Sequence, residues 1–184
     1  MNAVYLLAIG TVPAPAMSRV EGIIADWCPW PVKHLPAVPL PEDTFDPRRG
    51  QYKSVELMKL VVRQAPADAT RILGVTEADL AIPTLTFVFG QAQLDGQAAV
   101  VSLARLRQEF YALPADEALL RERLLKEVLH EFGHTFGLTH CADSKCVMSL
   151  ATHIGLVDSK ESRYCSHCGA HLVRTVASID GERT

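Results

Sequence analysis

The sequence predicts an α/β (α+β) domain with a mixed sheet, and three observations carry that expectation. The short apolar run Val4–Ile9 ends at Gly10 and reads as a buried strand, with helical spacing directly after it. Asp95-Gly96 precedes a second strand-like run, Ala98–Leu103, and this turn signal implies at least one antiparallel pair. From Asp116 to Phe136 apolar residues recur every four positions, which predicts a long helix with one buried stripe.

Each element follows from local chemistry. Val20, Ile23, Ile24 and Trp27 put one apolar face on a helix from Met17 to Trp27. Val32–Leu35 reads as a second short strand. Pro29 to Pro47 holds six of the eleven prolines, and proline's missing N–H blocks regular pairing, so a surface loop or flap is expected there. It runs into Arg48-Arg49-Gly50-Gln51-Tyr52. Ser54 is read as the N-cap of a helix over Val55–Val62. Arg71–Thr76 and Leu85–Phe89 are expected core strands, and Ala98–Leu103 follows the turn. Leu120, Leu124, Val128, Phe132 and Phe136 form the stripe of the long helix. Trp27 and Trp30, on either side of Cys28, are expected in the core.

Composition narrows the function. The 184 residues carry 18 basic and 21 acidic side chains, a formal net charge of −3, which argues against a nucleic-acid binder that neutralises many phosphates. With 48% hydrophobic and 21% charged residues, the chain is suited to one packed core rather than disorder. No stretch approaches the roughly 20 apolar residues of a membrane span, and the N-terminal run lacks the marks of a secretory signal. A cytoplasmic protein is therefore expected. Four of its five cysteines cluster between Cys141 and Cys168, where metal binding is favoured over disulfides.

The end of the long helix carries His130-Glu131-Phe132-Gly133-His134. Histidines four apart share one helix face and can bind one ion together, while Glu131 projects beside them to take a proton from water. The motif continues to Gly137, which can adopt the left-handed conformation that stops a helix, and then to His140, which the turn can return to the same ion. Three neutral imidazoles leave a zinc with one open position for water, whose pKa falls toward ~7. Cys141 and Cys146, then Cys165 and Cys168 in a C-x-x-C pair, match a closed, structural four-thiolate zinc site. A variant in which His153, His167 or His171 replaces one cysteine fits the same spacing. Buried free thiols, or a redox pair, are the remaining alternatives.

The run His130-Glu131-x-x-His134-x-x-Gly137-x-x-His140-Cys141, then Cys146-x-Met148 and Cys165-x-x-Cys168, resembles the archaemetzincin family of metzincin zinc metallopeptidases. The likeness extends through Leu73-Gly74-Val75-Thr76, Phe87-Val88-Phe89-Gly90 and Arg48-x-Gly50-Gln51-Tyr52, so it covers most of the chain. It implies catalytic zinc on His130, His134 and His140, Glu131 as general base and acid, and Met148 as the Met-turn floor beneath the metal. It also implies a second, structural zinc on Cys141, Cys146, Cys165 and Cys168, hence two ions per chain. The implied fold is a twisted mixed sheet whose antiparallel edge strand, packed on the active-site helix, binds extended peptide by strand addition. One domain, residues 1–184, is expected: 1–140 as the upper part with sheet and active-site helix, 141–184 as the C-terminal part with Met-turn and structural zinc. Leu150 stands where some metzincins carry a tyrosine that stabilises the oxyanion.

The expected function is zinc-dependent hydrolysis of peptide bonds, with a peptide or protein as substrate. The alternative is a zinc-stabilised peptide-binding protein with little or no turnover, and a third reading keeps the hydrolysis but targets a non-peptide amide or another small substrate. Pocket residues are expected from the Pro29–Pro47 loop and the Met148–Cys165 segment. Cys28 is left as an ordinary thiol.

Overall fold

A computed structural model describes residues 2–181. In chain order these form β1 (Ala3–Ile9), α1 (Ala14–Trp27), β2 (Val32–His34), β3 (Phe45–Asp46), β4 (Gln51–Lys53), α2 (Ser54–Gln64) and β5 (Ala69–Thr76). There follow β6 (Leu80–Ile82), β7 (Leu85–Val88), β8 (Gly90–Ala92), β9 (Ala98–Ser102), α3 (Glu117–Thr135), α4 (Ile154–Ser159) and α5 (Ser166–Gly181).

The main sheet has the order β2-β1-β5-β9-β8. Its first four strands are parallel, and β8 closes one edge antiparallel to β9. Strands β1, β5 and β9 read as near-continuous apolar runs because helices cover both faces of the sheet. Val4, Leu6, Leu73, Val75, Ala99 and Val101 pack with α1 and α3 on one side. Tyr5, Leu7, Ile9, Ile72 and Val100 pack with Leu57, Met58 and Val61 of α2 on the other. The hairpin after β8 turns through Asp95, which takes φ +51°.

Helix α3 crosses beneath the β8 edge. Asp116 Oδ1 caps it by accepting the Leu119 N–H at 2.9 Å, and the stripe from Leu120 to Phe136 is buried as expected. The helix stops in a Schellman turn. Gly137, at φ +82°, donates to the His134 carbonyl at 3.0 Å, and Leu138 donates to the Gly133 carbonyl at 3.2 Å. The β8–β9 hairpin docks on the same end, with Asp95 N–H on the His134 carbonyl at 2.9 Å.

Several expectations are corrected. Leu85–Phe89 is not a core strand: β7 belongs to a second sheet, order β3-β4-β6-β7, and Leu85 is 52% exposed. Lys53, not Ser54, occupies the α2 N-cap position, because the Ser54 hydroxyl turns inward to Gln91. Trp30 is core, but Trp27 lies exposed at the end of α1 with its ring edge-on to Tyr164. Pro29–Pro47 is pinned rather than free: β2 pairs with β1, and Val38 bridges to Ile9. Among the described residues, no helix is long and apolar enough to cross a membrane.

Because the cap of α3 is a single exposed side-chain bond, Asp116→Ala should cost about 1 kcal/mol and lower Tm by about 2–4 °C, measured by thermal unfolding.

Candidate metal centre

Helix α3 delivers two imidazoles one turn apart, with their Nε2 atoms at 3.1 Å. The other ring nitrogens are already committed. His130 Nδ1–H donates to the Val147 carbonyl at 2.9 Å, and His134 Nδ1–H to the Leu138 carbonyl at 2.6 Å. A carbonyl only accepts, so both protons sit on Nδ1 and both Nε2 atoms present lone pairs. Two lone pairs at that separation repel unless a cation lies between them.

The Gly137 turn brings His140 to the same place, its ring centroid 5.3 Å from His130 and 5.0 Å from His134. One nitrogen from each of the three rings lies within 4.8 Å of the others. Burial holds the His130 imidazole well below the usual histidine range and lowers His134 and His140 as well. Three converging imidazoles, two of them with the second nitrogen committed to a carbonyl, fit a zinc ion that keeps an open position.

A second cluster begins one residue on. The Sγ atoms of Cys141, Cys146, Cys165 and Cys168 lie within 4.8 Å of one another. Cys141 and Cys165 are 3.9 Å apart, far beyond the S–S bond of about 2.05 Å and close to the ~3.8 Å edge of a thiolate tetrahedron around zinc. The Cys165 N–H donates to Cys146 Sγ at 3.3 Å. A backbone hydrogen bond from Cys168 pulls the Cys165 thiol down to about 7, whereas burial pushes Cys168 up. His153, His167 and His171 stay out of this cluster, and His171 Nε2–H donates instead to the Phe136 carbonyl at 3.1 Å. Cys28 is buried apart from it, its thiol pushed up to about 11 by burial.

The histidines open onto a cleft of about 520 Å³. One wall is the ribbon 85–92, and the other is Thr139, His140 and 150–152. The Met148–Cys165 segment contributes as expected, but Pro29–Pro47 does not; its first part is held along β1, at the opposite edge of the main sheet from β8. Hydrogen bonds to β9 fall at Phe89 and Gln93. Antiparallel alternation then turns Gln91 toward β9 and the peptide groups of Gly90 and Ala92 toward the cleft.

Glu131 is 5% exposed and lies directly behind β8. A Cβ at Gly90 would fall 2.6 Å from its Cγ, so glycine is what lets the strand pass over the carboxyl. Burial pushes the Glu131 carboxyl well above the usual carboxylate range, Glu127 adds to this, and Lys160 opposes it. Met148 is fully buried beneath the helix, where Gly133 leaves room for its sulfur. Its carbonyl accepts the Cys141 N–H at 3.0 Å.

Sequence reasoning named Gly90 only within the run Phe87–Gly90, without a role, and did not single out Glu127 or Lys160. Glu127 carried a signal, a carboxylate one turn before Glu131 beside the apolar stripe. Lys160 carried none, because its partner is distant in sequence. The two form an ion pair at 2.9 Å with side chains 1% and 3% exposed, and neither Lys160 Nζ nor Glu127 Oε1 has a further hydrogen-bond partner among the described residues.

The sequence profile of Peptidase family M54 matches residues 37–174. The archaemetzincin of Methanocaldococcus jannaschii is 45% identical over 134 residues, 73% of each chain. The crystal structure of archaemetzincin from Methanopyrus kandleri superposes with a TM-score of 0.84 at 38% identity, covering 95% of both chains. That of a zinc-dependent peptidase from Methanocorpusculum labreanum gives 0.75 at 31% identity, covering 92% of this chain and 99% of the other.

Removing one half of the buried pair strands the other charge, so Lys160→Met should cost about 3–5 kcal/mol in denaturant unfolding. Adding Glu127→Leu should restore most of that loss, since the pair then gives way to apolar contacts.

Proposed function

The chain belongs to peptidase family M54, the archaemetzincins, and is a zinc metallopeptidase; from that premise we propose which of its residues do the work. His130, His134 and His140 hold the catalytic zinc. Cys141, Cys146, Cys165 and Cys168 hold a structural one, making two ions per chain. Met148, buried against Gly133, would form the floor beneath the first ion. The observation that carries this reading is the pair of unprotonated Nε2 atoms 3.1 Å apart, opening on the cleft that Glu131 also lines.

When bound at three imidazoles, zinc supplies a Lewis acid that acidifies water and polarises a scissile carbonyl. Glu131 takes the proton from the attacking water and returns it to the leaving amine nitrogen. Its burial excludes bulk water, and Gly90 keeps its path to the cleft open. The peptide groups of Gly90 and Ala92 pair with an extended peptide laid along β8, adding a strand to the sheet. Opposite them Leu150 offers an apolar wall and no hydrogen-bond donor.

Residues 1–140 and 141–184 act on this reading as one domain, the second part bracing the first through Cys141. Free, clustered thiols suit a reducing compartment, and we place the protein in the cytoplasm on that ground. The net charge of −3 supports a peptide rather than a nucleic-acid partner.

Glu131→Ala should lower kcat by about 10²–10⁴-fold on a peptide library while zinc content stays unchanged. Cleavage at the wild-type rate by that variant would remove Glu131 from the mechanism. A zinc-loaded wild type that binds library peptides and cleaves none would instead favour the peptide-binding alternative.

A further inference from the structure

Ten successive residues, 109–118, are exposed, and they include Phe110, Tyr111 and Leu113 at 44%, 37% and 52% exposure. Large apolar side chains gathered in this way on a surface commonly mark a contact site. The segment is held in shape. Leu113 N–H donates to the Gln108 carbonyl at 3.2 Å, and the Tyr111 hydroxyl donates to the Arg105 carbonyl at 2.9 Å. Ala112 adopts φ +57°, a left-handed conformation that an alanine takes only when its surroundings impose it.

The patch is joined to the cleft by stacked groups. Phe89 and Phe87, both in the cleft wall, meet edge-on at 5.1 Å. The Arg105 guanidinium lies 4.1 Å from the Phe87 ring and 4.5 Å from the Phe110 ring, so it is sandwiched between them. Its charge is taken up by a two-bond contact with Asp79 at 2.6 and 2.8 Å. It therefore joins wall to patch as a stacked bridge whose charge is already paired. Laid end to end, these three steps amount to at most the span of about four residues of extended peptide.

We propose that Phe110, Tyr111 and Leu113 form a secondary subsite that grips an apolar segment of the peptide substrate beyond the cleft. The occupant is the substrate itself, because the patch continues the wall along which the substrate runs. The inference rests on the peptidase reading above, and it makes the enzyme one that favours long peptides with a bulky apolar residue several positions from the scissile bond.

The test compares two fluorogenic peptides with the same scissile sequence on zinc-loaded enzyme. One has about four residues, confined to the cleft, and the other about ten, reaching past it with an apolar residue. The wild type should cleave the longer peptide with a kcat/KM about ten-fold higher, the gain residing in KM. Phe110→Ser and Leu113→Ser, separately and together, should abolish that gain while leaving the short peptide's kcat/KM and the zinc content unchanged. An equal loss on both peptides would mean that the loop merely props the wall, and would overturn the proposal. So would a wild type indifferent to length. If the wild type cleaves neither peptide, the peptidase reading itself fails, and the subsite with it.

Discussion

A single peptide bond, between His140 and Cys141, joins two clusters of side chains able to hold a metal ion, and much of the C-terminal part is arranged to hold it. On one side the imidazole must reach the pair on α3; on the other the thiol must reach Cys165, 3.9 Å away. The Schellman turn at Gly137 sets the approach, and the carbonyls of Leu138, Val147 and Met148 fix it. The first two orient the α3 histidines, and the third receives the Cys141 N–H. The backbone that turns the chain is thus the same backbone that decides which imidazole nitrogen is left to bind.

That constraint explains why the buried face of α3 is so polar. Arg123 grips Asp158 through two bonds of 2.7 Å, and Glu127 pairs with Lys160. Tyr164 donates to the Leu129 carbonyl at 2.7 Å. These contacts tie 158–164 to the helix just before the chain reaches Cys165. Charges in such places do little for net stability, because desolvation offsets the attraction. Their value lies in direction: an ion pair in a dry interface has one good geometry, whereas apolar contacts tolerate sliding.

The site was more legible in the sequence than the fold around it. Side chains that share one helix face obey a fixed spacing, so the convergence of His130, Glu131 and His134, and the turn at Gly137, could be placed from number alone. The cysteine pairs likewise named their own cluster. Helix α3 was clear from Asp116 to Phe136 because its stripe is long. The second sheet was not, because β3, β4, β6 and β7 run from two to four residues and their pattern is too short to show a period. Helix α5 carries its own helical pattern in Leu172, Val176 and Ile179, but the pattern is short and adjoins the cysteine motif. Ser54 and Trp27 misled because their chemistry fits two places equally well: a hydroxyl caps a helix or faces a neighbour, and an indole fills a core or edges it. Lys160 and Gly90 answer to partners far along the chain, so only the folded arrangement shows what they do.

The central claim is that two different metal environments meet at one peptide bond. Zinc-edge X-ray absorption on the native protein and on His134→Ala tests it most directly. The native protein should hold two zinc ions, with nitrogen neighbours at about 2.0–2.1 Å and sulfur neighbours at about 2.3 Å. In the variant the nitrogen shell should fade while the sulfur shell stays. A single ion with mixed nitrogen and sulfur ligands, or the loss of both shells together, would contradict the account.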